Sequence, residues 1–122
     1  MRIGHLYLVA FAITACSTSP HVCTLKGCAP GLLVQISGIA NVTAVEAESS
    51  GGGVYRHECP GAACGENLWV LFQDFFPRDV RIRVIAGGDT TTRDFQPVYR
   101  DEFINGPGCD PPCRRGTVTV TP

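Results

Sequence analysis

The chain has 122 residues, of which 44% are hydrophobic and 17% are charged, and its formal net charge at pH 7 is −1. This length suits one folded domain with a single core. The sequence has neither the cluster of basic residues that is typical of nucleic-acid-binding proteins nor an acidic tail that would attract basic partners.

Residues 1–15 have the organisation of an export signal. Arg2 supplies a positive charge, Leu6–Ile13 is an apolar run, and the small residues Thr14 and Ala15 end it. As a helix this run would span about 12 Å, far less than the ~30 Å hydrocarbon core of a bilayer. We therefore expect a cleaved signal peptide over residues 1–15 and not a transmembrane helix.

The four residues Ile13-Thr14-Ala15-Cys16 place an aliphatic residue and two small residues before a cysteine. This segment resembles the lipobox of bacterial lipoproteins. The resemblance implies cleavage before Cys16 and acylation of that residue, which anchors the protein because several acyl chains together bind a bilayer stably. An ordinary signal peptide, cut for instance after Ser17, is the alternative.

The resemblance also bears on location. In Gram-negative bacteria an aspartate after the lipidated cysteine typically retains a lipoprotein at the inner membrane, and here the residue is Ser17. We therefore expect an exported, membrane-anchored protein, at the outer membrane of a Gram-negative organism or otherwise on the outer face of the cell membrane.

The cysteine count agrees with a lipid on Cys16. Seven cysteines are an odd number for an exported chain. Once Cys16 is acylated, an even set is left for an oxidising compartment, where disulfides persist. These candidates are Cys23, Cys28, Cys59, Cys64, Cys109 and Cys113. Their spacings differ from the C-x2-C of zinc sites, so we predict no metal and no cofactor.

Six cysteines allow fifteen pairings, among which sequence does not choose. The short segment "CPGAAC" favours a Cys59–Cys64 bond that closes a hairpin loop. The other four either pair locally or join the first two to the last two. A crossing bond closes a longer loop and would stabilise by about 4–5 kcal/mol, against roughly 2–3 for a local one.

Residues 16–31 are predicted to form a tether with the first cysteine pair, followed by the folded domain at 32–122. Its first strands are expected at Leu32–Ile39 and Asn41–Ser49, and a glycine-rich turn then leads into a returning strand at Val54–Cys59. The nearly continuous apolar run Asn67–Phe75 predicts a strand that is buried on both sides or crosses the core.

Alternation is clearest in "DVRIRVIAGG", where Val80, Ile82 and Val84 share one face of a strand and Arg81 and Arg83 the other. The final "GTVTVTP" alternates in the same way, with its valines inward. Between them, "GDTTTRDFQPVYRDEF" is expected to hold a turn and one irregular strand, with at most one helical turn in "YRDEFIN". We predict an all-β fold, an antiparallel β-sandwich of about seven strands.

Residues with catalytic or binding potential are better explained by structural roles. His57 lacks a nucleophile in its sequence context, so we expect an exposed strand residue and no catalytic site. The segment "RDEFINGPGCDPPC" contains several side chains with oxygen atoms, which are the ligands that calcium prefers. Such residues are also common in turns, so we interpret them as turn residues and not as a calcium site. Those ligands would be Asp101, Glu102, Asn105 and Asp110.

The arginines and aromatic residues are interpreted as structural. We expect Arg81 and Arg83, with Arg78 nearby, to lie on a solvated face and pair with Glu46 or Glu48. A basic stripe that meets anionic headgroups or a wall polymer is the alternative. The aromatic residues are expected in the core rather than on a ligand-stacking platform, namely Trp69, Phe72, Phe75 and Phe76.

The segment Phe75–Gly88 is similar to a strand pattern of carboxypeptidase-regulatory-like domains, although Gly88 stands in place of the usual aromatic residue. This resemblance implies a transthyretin-type β-sandwich with an accessory role and no catalytic residues. An immunoglobulin-like domain is the rival, because Cys59, Trp69 and Cys109 approach the Cys…Trp…Cys spacing, but Pro107 stands where the corner tyrosine is expected.

These observations predict a lipid-anchored protein of the cell envelope with a non-enzymatic binding or structural role. Its partners would be the membrane, through Cys16, and an envelope protein or polysaccharide. The alternative is a secreted immunoglobulin-like binding domain, or a small enzyme or inhibitor, without a lipid anchor.

Overall fold

The computed structural model describes residues 23, 24, 26–60, 64, 65, 67–109 and 111–122, and these form strands without any helix. Within this part of the chain no helix has the length and apolar character needed to span a membrane. The signal peptide and Cys16 lie outside the described residues. The strands are β1 Gly31–Ser37, β2 Val42–Ser49, β3 Val54–Glu58, β4 Asn67–Gln73, β5 Val80–Ala86, β6 Asp89–Phe95, β7 Tyr99–Glu102 and β8 Cys113–Val120.

The strands form two four-stranded sheets, ordered β4-β1-β8-β7 and β3-β2-β5-β6. All neighbours are antiparallel except β1 and β8, which are parallel. The prediction of an all-β sandwich is confirmed. The strand order differs from that of an immunoglobulin domain, where the first two strands pair in one sheet; here β1 and β2 lie in different sheets.

The structure has eight strands where about seven were predicted. The segment read as one irregular strand, with a possible helical turn, is two strands in different sheets: β6 pairs with β5, and β7 pairs with β8. The chain passes from one sheet to the other at residues 96–98. Pro97 suits this passage because proline cannot donate a hydrogen bond to a strand partner.

The two inner faces bury valine, isoleucine and leucine side chains against one another, as strand alternation requires. Val80, Ile82 and Val84 of β5 are buried as predicted, and so are Val118 and Val120 of β8. Residues of both sheets belong to this one cluster, so a single core holds the sandwich together.

The strand predicted within Asn67–Phe75 is present as β4, but the expected burial on both sides was wrong. β4 is an edge strand that pairs only with β1, and it buries one face only. Val70 and Phe72 point into the core, whereas Trp69 between them is 53% exposed. The apolar character of Trp69 and Leu71 concealed the alternation of a half-exposed strand.

The sandwich has two distinct ends. β1 and β2 are joined at one end by residues 38–41, and the same end holds the β3–β4 and β5–β6 connections. The opposite end holds the β2–β3, β4–β5, β6–β7 and β7–β8 connections. The residues that precede β1 also enter there, so we call this the tether end and the other the far end.

Candidate functional site

All six candidate cysteines are paired. Cys59 is bonded to Cys64 as predicted. Of the alternatives for the other four, the structure has the crossing one: Cys23 joins Cys109 and Cys28 joins Cys113. Cys109 and Cys113 are buried. The tether is therefore not closed on itself by a Cys23–Cys28 bond but is fastened twice to the segment around the start of β8.

Asn105 reinforces this fastening. The backbone N–H of Thr24 donates to the carbonyl oxygen of Asn105 at 2.8 Å, and the N–H of Lys26 donates to its Oδ1 at 2.7 Å. Farther along, Arg115 Nε donates to the carbonyl oxygen of Ala29 at 3.1 Å. The last residues before β1 are thus held against the tether end by hydrogen bonds of their backbone groups to Asn105 and Arg115 as well as by disulfides.

Three of the four residues considered for calcium lie within the described part of the chain. Asp101 and Glu102 are exposed on β7, and the side-chain oxygen of Asn105 accepts the Lys26 N–H. Asp110 lies outside the described residues. The role of Asn105 is to hold the tether, and sequence reasoning missed it because its partners are about 80 positions away.

His57 lies on β3, where every side chain is exposed, as predicted. One of its ring nitrogens and the sulfurs of Cys59 and Cys64 lie within 4.8 Å of one another. The two sulfurs are bonded to each other, so neither is a thiolate that could ligate a metal. Among the described residues, no carboxylate forms an ion pair with His57.

The outer face of the β3-β2-β5-β6 sheet is a network of ion pairs. Arg83 contacts Glu48 at 2.8 Å, which confirms one predicted partner. Arg81 pairs instead with Asp94 of β6, at 2.8 Å. Their hydrogen bond raises the pKa of Arg81 and lowers the pKa of Asp94. The basic stripe is thereby neutralised across the strands.

Arg56 completes this face. It contacts Glu46 and also Glu58, the latter at 3.0 Å. Both hydrogen bonds raise the pKa of the Arg56 guanidinium. Because Arg56, Arg81 and Arg83 all have carboxylate partners, the face favours a solvated, self-compensated surface over a site for polyanions.

An open groove of about 590 Å³ lies at the tether end. Arg81 and Asp94 line it together with Glu48, Asp79 and the Ser49–Ser50 turn. Arg81 is already held by Asp94 there. The groove has polar walls but no histidine or cysteine.

The outer face of the β4-β1-β8-β7 sheet carries the exposed indole of Trp69. The strand register places Trp69 opposite Gln35, and Gln35 opposite Thr119. The Thr119 hydroxyl lies 3.4 Å from Gln35 Oε1 and donates to it. Leu71 and Leu33 form the next cross-strand pair. An aromatic plane therefore lies beside amide and hydroxyl groups on one flat face.

The prediction that all four aromatic residues lie in the core was half right. Phe72 and Phe75 are buried, but Trp69 and Phe76 are exposed. Phe76 packs edge-on against Tyr99, with ring centroids 5.5 Å apart, and the Arg114 guanidinium lies 5.5 Å from each ring centroid. Burial raises the pKa of Tyr99, against the opposing charge of Arg114.

No family model, curated protein or solved structure matches the chain. The immunoglobulin interpretation also lacks its central feature, because Cys59 and Cys109 are bonded to other cysteines and Trp69 is not buried against a disulfide.

Proposed function

We propose that this chain is a lipid-anchored domain of the bacterial cell envelope that binds or supports other envelope components without catalysing a reaction. The observation that carries the proposal is the cysteine pairing. Three disulfides use six of the seven cysteines, and by count the seventh is Cys16. A cysteine that follows an apolar leader and is not needed for a disulfide is suited to accept the lipid.

The disulfides also support export, because such bonds persist in oxidising compartments. We place the protein at the outer membrane of a Gram-negative organism, or on the outer face of the cell membrane otherwise. The likeness of Phe75–Gly88 to carboxypeptidase-regulatory-like domains belongs to the same proposal and would assign an accessory role to the sandwich.

For the ligand we propose an envelope polysaccharide, bound on the face around Trp69. An exposed indole supplies an apolar plane on which the C–H face of a sugar ring can pack. The neighbouring Gln35 and Thr119 supply donors and acceptors for sugar hydroxyls. An envelope protein is the other partner class, and a binding assay separates the two.

Intact-mass analysis and fractionation test the anchor. The full chain expressed in a bacterial host is expected in the membrane fraction, with a mass that fits a polypeptide from Cys16 plus acyl groups. Cys16→Ala should abolish the mass increase and the membrane retention. The paired variant Cys59→Ala/Cys64→Ala is the control, because it removes cysteines but keeps the acylation site. A wild-type mass without acyl groups refutes the anchor and favours the secreted alternative.

Co-sedimentation with insoluble cell-wall polysaccharide tests the ligand. Trp69→Ala should lower the bound fraction several-fold. Tyr55→Ala is the matched control, since its side chain is exposed to a similar degree, 46% against 53%, but lies at the tether end. Equal binding by the two variants would refute a role of the Trp69 face, and capture of a protein by that face alone would replace the polysaccharide.

A further inference from the structure

The exposed apolar side chains are concentrated at the tether end. Among the described residues, six large hydrophobic side chains are exposed, and only Trp69 lies away from this end. The other five belong to the β2–β3, β4–β5, β6–β7 and β7–β8 regions. They are Val54, Tyr55, Phe76, Val98 and Phe103.

Aromatic contacts connect the two sheets at this end. Tyr55 of β3 lies against Phe75, with ring centroids 4.5 Å apart. The next residue along the chain, Phe76, lies against Tyr99 of β7. Val98 precedes Tyr99 and is 69% exposed. The rings thus extend from the edge of one sheet to the edge of the other.

Arg114 adds a positive charge to this surface. Its guanidinium lies 5.5 Å from the centroids of both Phe76 and Tyr99 and is exposed. Aromatic rings with a cation beside them suit the interfacial zone of a bilayer, where ring edges meet headgroups and cations meet lipid phosphates.

The length of the tether limits how far this end of the domain can lie from the membrane that holds the acyl chains of Cys16. Cys23 is seven positions after Cys16, so the chain between them reaches at most about 25 Å. Cys23 is bonded to Cys109 at the tether end. The far end lies roughly 20 Å away, the length of a seven-residue strand.

We propose that the exposed apolar side chains of the tether end insert into the headgroup region of the bilayer that holds the acyl chains, and that Trp69, towards the far end, stays clear of this bilayer. This inference depends on the proposed acylation of Cys16. It assigns the tether end a lipid-contact role and gives the domain one orientation on the membrane.

Tryptophan fluorescence tests the orientation because the chain has one tryptophan. The full acylated chain is reconstituted in vesicles of phosphatidylcholine and phosphatidylglycerol, with and without brominated acyl chains, which quench indoles on contact. In the wild type the reporter is Trp69, and its emission should not change. In Trp69→Phe/Phe103→Trp the reporter moves to the tether end, and about half of its emission should be lost.

A second reporter, Trp69→Phe/Val98→Trp, covers the case that the first variant misfolds, since Val98 is the most exposed of the five. Intact mass is measured on every sample. Acylated variants that are not quenched at either position refute the orientation and leave the anchor in place. Equal quenching of Trp69 refutes it as well, because the domain would then lie on its side. A mass without acyl groups refutes both proposals.

Discussion

Cys23 is joined to Cys109 although 86 positions separate them, and Cys28 is joined to Cys113 across 85. The two bonds are interleaved along the chain, because Cys28 lies inside the loop closed by Cys23–Cys109 and Cys113 lies outside it. While either bond is intact, formation of the other closes only a small ring. This ring consists of the two chain segments Cys23–Cys28 and Cys109–Cys113. Their contributions to stability are therefore not independent.

We predict that loss of one crossing bond is tolerated and loss of both is not. In the chain-entropy model, removing Cys23–Cys109 alone costs about 3 kcal/mol, and removing both costs about 7. Urea unfolding of the paired Cys→Ala variants, without residues 1–16, measures this. If each single removal already costs the full amount expected for a loop of more than 80 residues, the two bonds act independently and the small-ring argument is wrong.

Gly31 begins β1 where no side chain fits. Its φ is 142°, and a Cβ there would overlap the carbonyl oxygen of Phe72. Gly31→Ala is expected to destabilise by about 3 kcal/mol. Gly87, with φ 61° and no atom near its Cβ position, is the control, and Gly87→Ala should cost only about 1 kcal/mol of backbone strain. Urea midpoints of the two variants that coincide would contradict this.

Tyr99 holds the β4–β5 connection through its hydroxyl, which donates to the Pro77 carbonyl oxygen at 2.6 Å. Tyr99→Phe should lower the free energy of unfolding by about 1 kcal/mol. Tyr55→Phe is the control, because its hydroxyl makes no hydrogen bond within the described residues. Similar losses in the two variants would show that the Tyr99 hydroxyl has no special role.

The raised pKa of Tyr99 gives this contribution a pH dependence. The folded state favours the neutral phenol, so the contribution is complete below the ordinary tyrosine pKa of about 10. It should decline as pH rises through the higher folded pKa. Thermal unfolding at increasing alkaline pH should therefore bring wild type and Tyr99→Phe together.

The Arg81–Asp94 pair predicts an acid dependence of the opposite sign. The pKa of Asp94 is lowered in the folded state, so its stabilisation is present above the unfolded value of about 3.9 and is lost as pH falls through the folded value. A gap in melting temperature between wild type and Arg81→Gln should exist at pH 7, close as the pH falls below the ordinary range of an aspartate, and shrink in high salt. A gap that is unchanged at low pH would argue against the pair.

The alternation of apolar and polar residues along the strands made part of the fold predictable from the sequence. The faces of β5 and β8 follow from residues two positions apart, because successive side chains of a strand point to opposite sides. The hairpin of β2 and β3 and the Cys59–Cys64 bond also depend on neighbours along the chain. These features are local, so the sequence contains the information that specifies them.

Other features were decided by tertiary structure. One apparent strand is divided into β6 and β7 because each half pairs with the edge of a different sheet. The exposure of Trp69 follows from the edge position of β4. The pairing of the other four cysteines depends on the parallel pairing of β1 with β8. This pairing brings the segment before β1 close to the segment before β8. Local residue patterns do not report contacts between segments some 80 residues apart, because those contacts form only when the packing of both sheets brings the segments together.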